Sequence, residues 1–255
     1  MLKFISLSIL LINFKTCYGI INGYVANIHD DPYVGQLVAL VPIPLTVGDR
    51  YGQVVAFSPK YAVTVCHLVQ NSDPSAIGVG FGSPYQYLVK VFTISTIRCH
   101  EDFAILTNSV TQYAINDIAI LKLTEPLPNC DTIQPIPLCI SEPADNTALI
   151  TLGWGAFVQL DLPVLGTRTL NSLILLSSNM LTFNNSIYQG IINEGHICAF
   201  STSGQTPCGG DSGGPLAGKT LFGLTSFSIS CGTTQPTVFT NVCYYEPWIN
   251  ANMIP

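Results

Sequence analysis

Charge is scarce in this 255-residue chain: Asp, Glu, Lys and Arg together make up 9%, against 48% apolar residues. A chain with so little charge and so much apolar surface to bury folds, which excludes wholesale disorder. No apolar run reaches the ~18 residues that a membrane span needs, so no membrane role is expected. Basic residues are the rarer sign, nine against fifteen acidic for a net charge of −6, and they are scattered. Without a basic stripe there is no attraction for phosphate, which excludes nucleic acid as a partner. No two cysteines form a C-x-x-C pair, and His29, His67, His100 and His196 lie far apart, so no metal site is expected.

What is present begins at the N-terminus. Met1-Leu2-Lys3 precedes an apolar segment from Phe4 to Phe14, followed by Cys17-Tyr18-Gly19. This is the pattern of a secretory signal peptide over residues 1–19, too short to remain as an anchor. Its removal leaves seven basic and fifteen acidic residues, a net charge of −8. Of nine cysteines Cys17 leaves with it, and the remaining eight enter an oxidising compartment where disulfides are expected.

Short runs rich in Val, Ile, Leu, Thr and Tyr follow: Gln53 to Phe57, Tyr61 to Val65, Tyr87 to Ile94 and Asp117 to Leu123. The second half repeats the style with Ala148 to Trp154, Leu170 to Leu176, Thr220 to Ile229 and Val238 to Val242. These read as strands, and the Gly, Pro, Asn and Ser clusters between them as turns. No fixed period indicates a solenoid or propeller. The length allows one large β-barrel domain or two small ones, with a boundary between halves near Ser141 to Asn146. Only Glu246 to Ile254, with Trp248, Ile249 and Met253 at helical spacing, predicts a short C-terminal helix.

The chemistry gathers around Ser212, in Pro207-Cys208-Gly209-Gly210-Asp211-Ser212-Gly213-Gly214-Pro215. Such a glycine-rich turn keeps bulky groups away from a nucleophile. The string also fits the G-x-S-x-G elbow of α/β-hydrolases, which requires the order Ser, acid, His. Every histidine here precedes Ser212, so that reading fails, whereas His67, Asp117 and Ser212 supply the order His, Asp, Ser. His67 ends one strand-like run and Asp117 opens another, placing both at strand ends. Taken singly, a strand histidine is usually a packed core residue and a serine in a glycine turn is usually only a turn; three matches in the correct order outweigh those readings.

With these residues the chain resembles the trypsin and chymotrypsin family of serine proteases. Family members carry T-A-A-H-C around the base, D-I-A-L-L-K-L around the acid and G-D-S-G-G-P around the nucleophile. The sequence matches the last two closely, and adds Ile20-Ile21-Asn22-Gly23, Gly153-Trp154-Gly155 and Pro247-Trp248-Ile249. The resemblance implies an all-β fold, two six-stranded antiparallel Greek-key barrels packed together with a short C-terminal helix. The peptidase domain would span residues 20–255, with one barrel at about 20–143 and the other, with the helix, at about 144–255. It implies a secreted, monomeric serine endopeptidase acting on proteins or peptides and open to protein inhibitors, with no cofactor. The alternative is a secreted, catalytically impaired homologue that acts as a binding protein.

The same resemblance assigns His67, Asp117 and Ser212 to the catalytic triad and the amides of Gly210 and Ser212 to the oxyanion hole. Asp211 would pair with the α-amino group of Ile20 once the chain is cut there. No Lys or Arg stands at position 19, so signal removal itself is expected to free Ile20. Thr206 falls at the base of the substrate pocket, where trypsins carry Asp, and Ser226-Phe227-Ser228 falls on the segment that binds substrate backbone. Ser228 and Thr237 replace glycines, which predicts a shallow, elastase-like pocket for small uncharged side chains. Cys208 with Cys231 and Cys139 with Cys243 are the implied disulfides. The usual histidine-loop disulfide is missing at Tyr51 and Leu68, and another at Leu149 and Gly218. Cys66, Cys99, Cys130 and Cys198 have no assigned partner. No Glu lies between His67 and Cys99, so no calcium loop is expected. Asn184-Asn185-Ser186 is a candidate glycosylation site at Asn184.

Overall fold

The computed structural model describes residues 20–40, 52–86, 88–109, 111–155, 170–178, 188 and 190–253. The signal peptide, Tyr51 and Asn184 lie outside them. The short strand β1 (Tyr24–Val25) opens the described chain. The strands β2 (Val34–Ala39), β3 (Gln53–Ser58), β4 (Tyr61–Thr64), β5 (Ile77–Phe81), β6 (Lys90–Cys99) and β9 (Ala119–Leu123) close into a barrel in the order β2-β3-β4-β9-β6-β5. A hairpin of β7 (Ala104–Thr107) and β8 (Gln112–Ile115) projects from it.

The second sheet comprises β1, β10 (Ala148–Gly153), β11 (Asn171–Ser178), β12 (His196–Phe200), β13 (Pro215–Ala217), β14 (Leu221–Phe227) and β15 (Thr237–Asn241). Pairing of β11 with β12 closes six of these strands into a second barrel, with β1 added at β11. All named ladders are antiparallel. The fold is the expected pair of six-stranded barrels. Tyr24 and Val25 pair at the edge of this second sheet, and Ile20 upstream is buried among Leu149, Leu175, Leu216 and Phe239.

Strand alternation divides the core. Val54 and Ala56 of β3 pack with Leu37, Val79, Phe81, Leu121 and Leu123. Val55 between them turns the other way, joining Val34, Val63, Ile118 and Ile120 to Leu152, Trp154, Leu221 and Leu224 across the barrel junction. A period of two thus makes β3, β4 and β9 face the barrel interior on one side and the contact between barrels on the other. The indole N–H of Trp154 donates to the Pro84 carbonyl at 2.8 Å, a polar tie across the same junction.

Three boundaries depart from the strand and helix readings. The C-terminal helix α2 runs Val242–Asn252, starting four residues before Glu246, because the Asn241 side chain caps it by accepting from the Tyr244 amide at 3.3 Å. The strand expected from Asp117 starts at Ala119, since Asn116 takes φ +50° and breaks the extended run ahead of it. His67 does not end a strand: β4 stops at Thr64, and Cys66–Val69 form a single helical turn, α1.

Candidate active site

The turn α1 has no side-chain cap from Val65, so its first amides need another acceptor. Asp117 supplies it. Its Oδ1 accepts from the His67 amide at 2.9 Å, while its Oδ2 lies 2.7 Å from His67 Nδ1. One carboxylate therefore fixes both the backbone and the ring of His67. The Ser226 hydroxyl donates to Oδ2 at 2.6 Å, and Thr240 Oγ1 donates to the Asp117 carbonyl at 2.7 Å. Asp117 is itself positioned by Asn116, whose Nδ2 donates to Asp102 O at 2.9 Å and whose Oδ1 accepts from Tyr245 at 2.7 Å.

Ser212 sits on the loop that enters β13. Its carbonyl accepts from the Gln53 amide at 2.8 Å. A β-carbon on Gly52 would lie 2.7 Å from that carbonyl and against Leu68, the neighbour of His67, so the Ser212 loop and α1 meet closely. Among the described residues the Ser212 hydroxyl makes no hydrogen bond with His67. Residues 208–211 form a turn closed by Asp211 N to Cys208 O at 2.9 Å, with Gly210 at φ +95° in its third position. That is the type II turn geometry, which glycine adopts without strain. Among the described residues nothing accepts from the amides of Gly210 and Ser212, leaving both available to a developing oxyanion.

Asp211 is fully buried. Its carboxylate accepts from Gly155 N at 2.8 Å, Cys208 N at 2.9 Å and Gln53 Nε2 at 3.2 Å, and also from the Ile20 amide. Burial nevertheless pushes its pKa up to about 6, against the lowering by these donors. Gly153 and Gly155 flank it where a β-carbon would run into the carboxylate.

The residues expected to line the pocket have separate surroundings. Thr206 is buried; its hydroxyl accepts from Gly232 N at 2.8 Å and its carbonyl from Ile21 N at 3.0 Å. The Thr237 hydroxyl is buried without a hydrogen-bond partner among the described residues. Ser228 is half-buried. The Phe227 ring is edge-on to His196 at 5.7 Å and 6.4 Å from Tyr113. His196 Nδ1 accepts from Asn193 N at 3.2 Å, so the proton is on Nε2, which donates to Ala114 O at 3.0 Å. Burial lowers the His196 pKa, and the ring ties β8 to the second barrel.

Disulfides join Cys208 to Cys231 and Cys139 to Cys243, the two pairs that the resemblance implied, and a third joins Cys66 to Cys99. The last anchors α1 to β6. Cys130 is exposed and Cys198 buried, and both are free thiols. Sequence reading missed the roles of Gln53, the Ser226 hydroxyl, Thr240 and His196. None carries a motif, because each acts through a partner at least 82 residues away, as His196 does on Ala114.

The trypsin profile matches residues 20–249. The chain belongs to the trypsin family. It is 30% identical to trypsin delta of Drosophila melanogaster over 199 residues, covering 77% of this chain and 76% of that one. It is 27% identical to hypodermin-B of Hypoderma lineatum over 237 residues, covering 91% and 87% respectively. Among solved structures, neuropsin, a serine protease expressed in the limbic system of mouse brain, superposes with a TM-score of 0.75 at 26% identity, covering 92% of this chain and 100% of that one. HL collagenase gives a TM-score of 0.74 at 28% identity, covering 91% and 98%. This trypsin-family chain is thus related to serine proteases along nearly its whole described length.

Proposed function

We propose that the protein is a secreted serine endopeptidase that cleaves peptide bonds through an acyl-enzyme, after small uncharged residues. The observation that carries this reading is the Asp117 carboxylate on His67 Nδ1, together with a Ser212 loop whose Gly210 and Ser212 amides have no described acceptor. His67 Nε2 takes the proton of Ser212 Oγ as that oxygen attacks the scissile carbonyl carbon. The carbonyl electron pair moves onto oxygen and is met by the two amides. Collapse expels the amine, which takes the proton from His67, and water then repeats the sequence on the acyl ester. Asp117 holds Nδ1–H throughout and stabilises the imidazolium.

Export by removal of residues 1–19 supplies both the oxidising compartment for the three disulfides and the free amine of Ile20. That ammonium would offset the buried charge of Asp211 and so help to hold the oxyanion loop. A fluorophosphonate probe should label the secreted protein, labelling should vanish in Ser212→Ala, and the N-terminal sequence of the labelled chain should begin at Ile20. Protein that stays unlabelled while folded would refute the reading.

A neutral Thr206 at the pocket base gives a substrate Lys or Arg no counter-charge, and Thr237 and Ser228 fill space that glycine would leave. Peptide-library cleavage should favour Ala, Val or Ser before the cut. Thr237→Gly with Ser228→Gly should raise the preference for Phe and Tyr by about 10–100-fold; a wild-type preference for Phe or Tyr would sink the shallow-pocket reading. The reading of a binding protein without turnover draws on one observation, the missing hydrogen bond between Ser212 and His67, and the same probe decides it. Such bonds commonly tighten only with substrate bound.

A further inference from the structure

Gln53 stands at the start of β3, in the barrel that does not carry the nucleophile, and is almost wholly buried. Its contacts fall on three successive residues of the nucleophile loop. Its amide donates to the Ser212 carbonyl at 2.8 Å, and its Nε2 donates to Asp211 Oδ1 at 3.2 Å and approaches the Gly210 carbonyl at 3.4 Å. The orientation of the side-chain amide is determined by chemistry, since a carboxylate and a carbonyl only accept and so must face the NH₂ end. Gln53 is fixed in turn, its own carbonyl accepting from Thr64 Oγ1 at 2.6 Å. The opposite end of the side chain, Oε1, is buried without a hydrogen-bond partner among the described residues.

That unpaired acceptor separates two roles for Gln53. An apolar side chain of similar length would fill the same space without burying an orphan oxygen, so Gln53 is a poor choice for packing. What it adds is a donor that reaches Asp211 from across the barrel junction. We propose that Gln53 is a positioning residue that clamps Gly210, Asp211 and Ser212 in the oxyanion-hole conformation, partly independently of the free Ile20 amine. The clamp rests on the hydrolase reading above and deepens it. In a chain without Gln53, the Asp211 carboxylate would depend on the ammonium and two loop amides alone. Here the first barrel holds the same carboxylate with a neutral donor that proteolytic processing neither creates nor removes. The amine then tightens an oxyanion hole that already exists.

The test uses the full secreted chain and a peptide substrate, with two N-termini, one starting at Ile20 and one retaining Gly19. Gln53→Met should lower kcat about tenfold, leave KM within about twofold and leave the thermal midpoint unchanged, because Gln53 touches no substrate and what is lost is the placement of amides that act on the developing oxyanion. Retaining Gly19 should cost wild type less than about tenfold in kcat and cost Gln53→Met about a hundredfold, a coupling that a double-mutant cycle reads directly. If Gln53→Met does not fold, Gln53→Asn withdraws the donor by one methylene while keeping the amide, and the same split is expected of it. An unchanged kcat overturns the clamp, as does a joint fall of kcat, affinity and thermal midpoint, which would mark a packing role. Equal costs of Gly19 in both backgrounds overturn it too. Wild type that turns over no substrate overturns the hydrolase reading and the clamp together, whereas an active wild type with an indifferent Gln53→Met overturns the clamp alone.

Discussion

Asp117→Asn should leave the fold intact and lower kcat by about 10⁴-fold with KM little changed. The carboxylate makes contacts of two kinds, and asparagine can reproduce only one. Oδ1 of the amide can still accept from the His67 backbone N–H, now at 2.9 Å, so α1 should survive. At the other oxygen, which lies 2.7 Å from Nδ1 and 2.6 Å from Ser226 Oγ, an NH₂ group would present a donor. A donor there forces Nδ1 to accept, moves the ring proton to Nε2 and leaves no base for Ser212. The imidazolium of the transition state also loses its counter-charge. Steady-state kinetics on a peptide substrate checks this, with circular dichroism to confirm folding. A kcat within tenfold of wild type would mean that Asp117 is a structural cap of α1 and no part of the catalytic machinery.

Removing the Cys66–Cys99 disulfide by the double change Cys66→Ala and Cys99→Ala should cost about 3–4 kcal/mol of stability, the chain-entropy value for a closed loop of this size. The two cysteines are 33 residues apart and sit 5.3 Å apart between Cα atoms. The bond does more than close a loop. Cys66 is the residue before the proposed base, on a helical turn of four residues with no N-terminal side-chain cap. Without its link to β6, that turn is held by the Asp117 contacts and by burial of Cys66 and Val69. Activity should therefore fall before the global unfolding transition as temperature rises, since local opening of α1 becomes cheaper than unfolding of the barrels. Guanidinium unfolding measures the first effect and activity during a thermal ramp the second. An unchanged midpoint in denaturant would show that the bond constrains neither state.

These expectations depend differently on what could be read in advance. The positions of His67, Asp117 and Ser212 are legible because their flanks are local: a glycine-rich turn, an alternating apolar strand and the order of three residue types along the chain. The strands are legible for the same reason, as burial on alternate sides imposes a period of two. Boundaries slipped where a tertiary contact overrode the local pattern. His67 follows a run with strong strand propensity, yet it lies in a helical turn because the Asp117 carboxylate, fifty positions onward, satisfies its amide. The C-terminal helix begins before its apolar spacing does because Asn241 caps it.

The sequence by itself determined that the chain is built of strands, since hydrophobic period is a property of short segments, and its motifs carried the resemblance that implied two barrels and singled out the candidate triad. Only the tertiary structure decided which donors meet which acceptors across the junction. Gln53 reaches Asp211, Ser226 reaches Asp117 and Cys66 bonds Cys99 at separations along the chain of 158, 109 and 33 residues. Such pairings follow from how two closed barrels are docked, and hydrogen bonds require positioning to a fraction of an ångström that no pattern of apolar and polar residues encodes.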